Sequence, residues 1–207
     1  MNETARTDRE FMHEALALAR MGWGLTSPNP MVGAVIVRDG EIIGRGYHCK
    51  AGEPHAEINA LRDVAKHGID PAGSTMYVTL EPCSTHGRTG PCTDAIRKAG
   101  IRRVVIGALD PNPKHSGAGV ELLRSAGIEV TVGVERNACS EINQPFFRWI
   151  TTGRPLVILK MAMTLDGKIA TAEGESKWIT GPEARRRVQQ LRRLADAVMV
   201  GGETVRR

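Results

Sequence analysis

The sequence predicts a layered α/β fold, and three observations carry that prediction. Short runs of β-branched and apolar residues at 76–80, 102–109 and 128–134 alternate with segments whose apolar residues recur at helical spacing, the pattern of strand, helix, strand units. Ahead of them, Asp39-Gly40 sits between the stretches 32–38 and 41–48; it marks a tight hairpin, because a type I′ turn needs positive φ at both central positions. Gly and Pro clusters punctuate the chain between these runs. A sheet that is antiparallel at the hairpin and largely parallel beyond it is expected.

In order along the chain, Asp8 is placed to cap a helix whose apolar residues Phe11, Ala15, Leu18 and Ala19 share one face, with Gly22 at its end. Ser27-Pro28-Asn29-Pro30 forces a turn, since each proline fixes its own φ and pushes the residue before it towards extended geometry. After the hairpin, Ala51-Gly52-Glu53-Pro54 leads into a helix patterned by Ala56, Ala60, Leu61, Val64 and Ala65 and closed by Gly68. The strand 76–80 ends on Glu81-Pro82-Cys83, and a helix opens at Cys92. Strand 102–109, a loop around Asp110-Pro111-Asn112-Pro113, helix 120–126, strand 128–134 and helix 135–148 complete a first domain, 1–150. Turn residues at 151–155 mark a boundary. In 151–207 the expectation is an apolar strand at 156–163, a turn at 164–168, a helix starting with Pro182, and a strand at 195–200.

Charged residues make up 25% of the chain, and Lys160 breaks its longest apolar candidate, so no span approaches the roughly 20 residues of a membrane helix. Residues 1–10 lack the apolar core of a signal peptide, and a cytoplasmic location is expected. Four cysteines in such a compartment are metal ligands, catalytic groups or buried thiols rather than disulfides. The net charge of +5 is largely local: Arg185, Arg186, Arg187, Arg192 and Arg193 crowd one segment, a pattern that reads first as a solvated helix face and second as a site for an anionic small molecule.

The chemistry concentrates between His55 and Cys92. His55, Cys83 and Cys92 offer one imidazole and two thiols, a donor set that suits Zn²⁺, and three protein ligands leave one position open for water. Glu57 is a spare carboxylate able to move that water's protons. A closed structural site is the competing reading, with Cys49 or His86 as a fourth ligand. His55 and Glu57 are two apart and cannot share a helix face, so His55 is expected at the very start of its helix. Both thiols are expected at element ends, where helix N-termini lower thiol pKa.

His-x-Glu followed by Pro-Cys and a second Cys resembles the signature of zinc-dependent nucleobase deaminases. The wider set narrows the resemblance: Pro28-Asn29-Pro30 with Val32-Gly33, Gly46-Tyr47-His48, Ala51 to Glu57, Thr79 to Cys83, Gly87-Arg88-Thr89 and Asp110 to Pro113. Later in the chain come Thr164 to Gly167, Gly174-Glu175-Ser176 and Trp178-Ile179-Thr180. Together they resemble the bifunctional riboflavin-biosynthesis deaminase/reductase family. Cytidine and tRNA-adenosine deaminases use Pro-Cys-x-x-Cys, whereas eight residues separate Cys83 from Cys92.

The resemblance implies a cytidine-deaminase-like three-layer α/β/α sandwich over 1–150, then an incomplete dihydrofolate-reductase-like α/β segment at 151–207. It implies hydrolytic deamination of 2,5-diamino-6-(5-phosphoribosylamino)pyrimidin-4(3H)-one, with His55, Cys83 and Cys92 holding zinc and Glu57 moving the protons. Asn29 and His48 would contact base or ribose and Arg88 the 5′-phosphate. The competing reading gives Asn29 and His48 a loop-stabilising role and leaves Arg88 as a surface residue. In the reductase segment Ser176 and Arg192 resemble substrate contacts, and Ala162, Trp178 and Thr204 the NADP side. NADPH reduction belongs to the full-length family and is not expected of this chain alone; NADPH oxidation with the deaminated substrate would contradict that. Copies are expected to associate, since a half-sized second domain exposes apolar surface. A nucleic-acid base deaminase is a rival, disfavoured by 4% aromatics and the long inter-cysteine loop. A non-catalytic, zinc-stabilised partner-binding fragment is another.

Overall fold

The apolar runs of the first half assemble into one sheet of five strands. The computed structural model describes residues 3–85, 90–113 and 115–206, and the chain divides into two units, Met1–Leu156 and Val157–Arg207. In the first unit β1 (Gly33–Arg38), β2 (Glu41–Tyr47), β3 (Thr75–Leu80), β4 (Arg103–Ala108) and β5 (Glu129–Val132) lie in the order β2-β1-β3-β4-β5. β1 is antiparallel to both β2 and β3, and β3, β4 and β5 run parallel. Asp39 and Gly40 join β1 to β2 with φ of 53° and 81°, the two positive values that their turn requires.

Period-two alternation sends successive side chains to opposite faces of the sheet. Ala34, Ile36, Met76, Val78, Val104 and Ile106 face one way and pack on α2 (Ala56–Lys66), α3 (Cys92–Lys98) and α4 (Ala118–Ser125). Val35, Val37, Tyr77 and Val105 face the other way, against α1 (Glu3–Ala19) and Cys139 of α5 (Arg136–Glu141). Each fully buried aliphatic side chain adds about 1.5–3 kcal/mol, and two such cores sandwich the sheet between helical layers. The architecture is the expected three-layer α/β/α sandwich.

Two elements of the first unit differ from expectation. α1 begins at Glu3, so Asp8 lies inside the helix rather than capping it. Glu, Ala and Arg propagate helix upstream, and the Asp8 carboxylate is committed elsewhere: it accepts from Tyr77 Oη at 2.8 Å and from both Arg103 terminal nitrogens at 2.9 and 2.8 Å. The helix expected over 135–148 is two, α5 and α6 (Gln144–Thr152). Pro145 cannot donate to the earlier turn, and the buried Asn143 at the break bonds both polar groups of Met31 at 2.8 Å.

The Asp8 pair gives a stability prediction. Burial raises the Asp8 carboxyl, but the hydrogen bonds from Arg103 and Tyr77 and the Arg103 charge outweigh it and hold the group below 3.8. A depressed acid stabilises the fold above its unfolded pKa and loses that contribution as pH falls through the folded one. Asp8→Asn should therefore cost about 3 kcal/mol at pH 7 in urea denaturation, with the gap from the parent closing in acid. A gap that persists unchanged in acid would contradict this assignment.

The second unit holds α7 (Pro182–Leu194), with Pro182 in its first turn, and α8 (Gly202–Arg206). The runs expected as strands at 156–163 and 195–200 form no strand pairing among the described residues, and Val157, Leu159 and Met199 are exposed. A strand patterned for burial on both faces needs neighbours to pair with, and the described residues of this unit provide none. No helix among the described residues is long and apolar enough to cross a membrane.

Candidate active site

Three element ends converge beyond the C-terminal edge of β3. β3 stops at Leu80 and delivers Glu81, Pro82 and Cys83; α3 starts on Cys92; α2 starts after His55. His55 is the N-cap of α2, with extended backbone (φ −69°, ψ 165°), and Glu57 lies in the first helical turn, buried to 3% exposure. Because His55 is not itself helical, the two-residue spacing no longer separates the two side chains.

The ligand atoms of His55, Cys83 and Cys92 all lie within 4.8 Å of one another. Cys83 Sγ and Cys92 Sγ stand 3.6 and 3.3 Å from His55 Nδ1. Tetrahedral zinc bonds of 2.0–2.3 Å place neighbouring ligand atoms roughly 3.6 Å apart, so this donor set fits Zn²⁺ in both chemistry and spacing. No fourth ligand joins the group among the described residues: Cys49 Sγ instead lies 3.6 Å from Tyr47 O, and His86 falls outside them.

The start of α3 wraps Cys83. Cys92 N donates to Cys83 Sγ at 3.2 Å, while Thr93 N and Oγ1 reach Cys83 O at 3.2 and 3.3 Å. The Cys92 thiol, His55 and that backbone N–H together bring the Cys83 pKa down to about 4. Cys92 moves the opposite way, pushed far up by its hydrogen bond to Cys83, by burial and by Glu57. The expectation that both thiols are lowered therefore holds only for Cys83. Two adjacent thiols cannot both ionise without a cation between them, so the pair shares a proton. Glu57 is pushed up to about 7, first by burial and then by the Cys83 charge.

Asn29 and His48 form the adjoining wall. The His48 ring meets the His55 ring edge-on, with centroids 5.5 Å apart. His48 Nδ1 lies 3.2 Å from Pro54 O and so carries the proton, which leaves Nε2 to accept from Asn29 Nδ2 at 3.3 Å. Burial lowers the His48 pKa and keeps the ring neutral. Asn59 Nδ2 holds the same Pro54 carbonyl at 3.2 Å and Tyr47 O at 2.8 Å. Asn29 is thereby oriented through a chain of three side chains and one carbonyl, and its own Oδ1 takes no hydrogen bond among the described residues.

Arg88 lies outside the described residues. In the second unit, Ser176, Trp178, Arg192 and Thr204 are exposed and Ala162 is half-buried. The Arg185 guanidinium stacks 4.4 Å over Trp178, Arg192 Nη1 donates to Gln189 Oε1 at 3.4 Å, and Thr204 N to Gly201 O at 3.0 Å. No hydrogen bond or ring contact among the described residues joins any two of these five. Reading the sequence missed Glu81 and Asn59 as parts of the site. The available signal was a carboxylate between an apolar strand and a Pro-Cys ligand, too buried a place for an unpaired charge.

Residues 5–108 match the family model of the cytidine and deoxycytidylate deaminase zinc-binding region, and residues 155–207 match that of the RibD C-terminal domain. The riboflavin biosynthesis protein RibD of Aquifex aeolicus is 56% identical over 198 residues, 96% of this chain and 55% of that protein. RibD of Escherichia coli is 50% identical over 96% of this chain and 53% of its own length. A solved Thermotoga maritima diaminohydroxyphosphoribosylaminopyrimidine deaminase/5-amino-6-(5-phosphoribosylamino)uracil reductase superposes with a TM-score of 0.94 at 48% identity, covering 98% of this chain and 58% of that one. The chain thus spans about half the length of the curated relatives it matches.

Proposed function

Because the chain belongs to the zinc-binding cytidine and deoxycytidylate deaminase family, in its RibD-like riboflavin-biosynthesis branch, we propose that it hydrolyses the 2-amino group from 2,5-diamino-6-(5-phosphoribosylamino)pyrimidin-4(3H)-one. The observation that carries this reading is a His55–Cys83–Cys92 donor set with a buried spare carboxylate, Glu57, beside it. Bound by those three residues, zinc would polarise a water and lower its pKa to about 7. Glu57 takes a proton from the attacking water as the new C–O bond forms at the ring carbon. It then returns that proton to the amine nitrogen as the C–N bond breaks and ammonia leaves, while the second water proton passes to the ring nitrogen and the new C–O bond becomes the ring carbonyl. A carboxyl pushed towards neutrality by burial is matched to both transfers.

The neutral His48 holds Asn29 so that its Oδ1 and second N–H meet the donor and acceptor edge of the pyrimidine or its ribose. Arg88, between the two thiols in sequence, is assigned the 5′-phosphate, a role suited to a guanidinium. The Thermotoga relative's name specifies the same phosphoribosylaminopyrimidine and supports the substrate choice. For 155–207, Ser176 and Arg192 are assigned to the substrate of a reductase half and Ala162, Trp178 and Thr204 to NADP, on the family match alone.

Release of ammonia from the phosphoribosylaminopyrimidine by the zinc-loaded chain tests the function, and no release above the uncatalysed rate would overturn it. Asn29→Ala should lower kcat/KM about tenfold, mostly through KM, the worth of one or two neutral hydrogen bonds. An Asn29→Ala enzyme within about twofold of the parent would return Asn29 to a loop-stabilising role.

A further inference from the structure

Glu81 is buried to 7% exposure with no cation paired to it among the described residues. Its Oε1 accepts from the backbone N–H groups of Gly119 and Val120 at 2.9 and 3.3 Å. Its Oε2 accepts from those of Asp110 and Gly117 at 3.1 and 3.0 Å. Four backbone donors therefore satisfy one buried charge. They belong to the start of α4 and to the loop that precedes it. Gly117, the N-cap of α4, has no side chain to offer, so Glu81 caps that helix from another element.

The other end of Glu81 leads to the metal ligands. Its N–H donates to Ala108 O at 2.9 Å, and only Pro82, with its fixed φ, separates it from Cys83. Gly119 is seated against this arm: a Cβ there would stand 2.3 Å from Pro82 O and 3.2 Å from Glu81 Oε1.

We propose that Glu81 is a positioning residue, clamping the Cys83 arm to Asp110, Gly117 and the start of α4 so that the ligand set keeps its geometry. A simple helix cap would affect stability alone. The activity readout rests on the deaminase reading, and the two metal readouts do not.

The test compares Glu81→Gln and Gly119→Ala with Tyr77→Phe, a destabilising control on the opposite face of the sheet. All are measured at a temperature where circular dichroism shows each to be folded. Both site variants should shift the thiolate-to-cobalt absorption of the Co²⁺-loaded chain, release zinc to a chelator about tenfold faster and lose about tenfold in kcat/KM; Tyr77→Phe should change none of these. Wild-type cobalt spectra together with zinc release within about twofold of the parent in both site variants would reduce Glu81 to a cap and overturn the proposal. If Glu81→Gln does not fold, Gly119→Ala, which keeps the carboxylate, decides by the same readings. If the parent releases no ammonia, the substrate assignment fails while the cobalt and chelator measurements still decide the role of Glu81.

Discussion

Replacing Glu57 by glutamine should lower kcat for ammonia release by about 10⁴-fold, or about 5.5 kcal/mol of transition-state stabilisation, while zinc stays bound at the parent's stoichiometry. The magnitude lies at the upper end for general acid–base catalysis because one carboxylate serves two transfers, from water and to the leaving amine. The amide has the same shape and can hold the water, but it cannot exchange a proton. A second readout comes from stability. Glu57 is pushed up to about 7 from 4.5, chiefly by burial. A raised acid stabilises the fold below its unfolded pKa and loses that contribution as pH rises through the folded one. In the metal-free chain the carboxylate therefore costs about 3 kcal/mol above pH 7, a burden the glutamine does not carry. Glu57→Gln should be inactive and, with chelator present, more stable than the parent at neutral pH in urea denaturation. Activity within about tenfold of the parent would remove Glu57 from the mechanism.

What the sequence disclosed and what it hid divides by distance along the chain. The first unit's strands, the Asp39-Gly40 turn and the layered α/β class are local patterns, and so is the donor chemistry of His55, Cys83 and Cys92; the three-layer arrangement follows from the family resemblance. Asp8 reads locally as a helix cap, because nothing near it announces that Arg103 waits 95 residues away. Asn143 and Glu81 are hidden for the same reason: their partners, Met31 and the start of α4, belong to other elements. The opposed shifts of the two thiols depend on the proton they share, which appears only once they are side by side. The apolar runs at 156–163 and 195–200 have strand composition without strand pairing among the described residues, since a ladder is a property of two segments and composition of one.

Gly46 shows how far such a hidden constraint reaches, and Gly46→Ala carries the second large expected effect. A Cβ on Gly46 would stand 2.2 Å from Ala60 N and 2.3 Å from Ala56 O, both backbone atoms of α2. Two residues earlier, on the same face of β2, a Cβ on Gly44 would meet Val64 Cγ2 at 2.3 Å and Ala60 O at 2.7 Å. At Gly46 the α2 backbone thus lies directly against the strand, with no side chain between them. The helix backbone cannot yield as a side chain would, so the alanine must displace α2, costing about 3 kcal/mol, the upper part of the usual range for overpacking. His55 and Glu57 move with the start of that helix, and a 1 Å misplacement of reacting groups can cost about 10²-fold in rate. The expected result is a loss of about 10²-fold in kcat/KM with weakened zinc binding, beyond the loss of stability. Gly40→Ala separates the two effects. Gly40 has φ of +81° and nothing within 4 Å of a new Cβ, so alanine there strains only its own turn, by about 1 kcal/mol, and leaves the ligand set in place. Gly46→Ala should therefore lose activity and zinc affinity at a stability where Gly40→Ala keeps both. Equal activity in the two variants would mean that α2 accommodates the methyl group without moving His55.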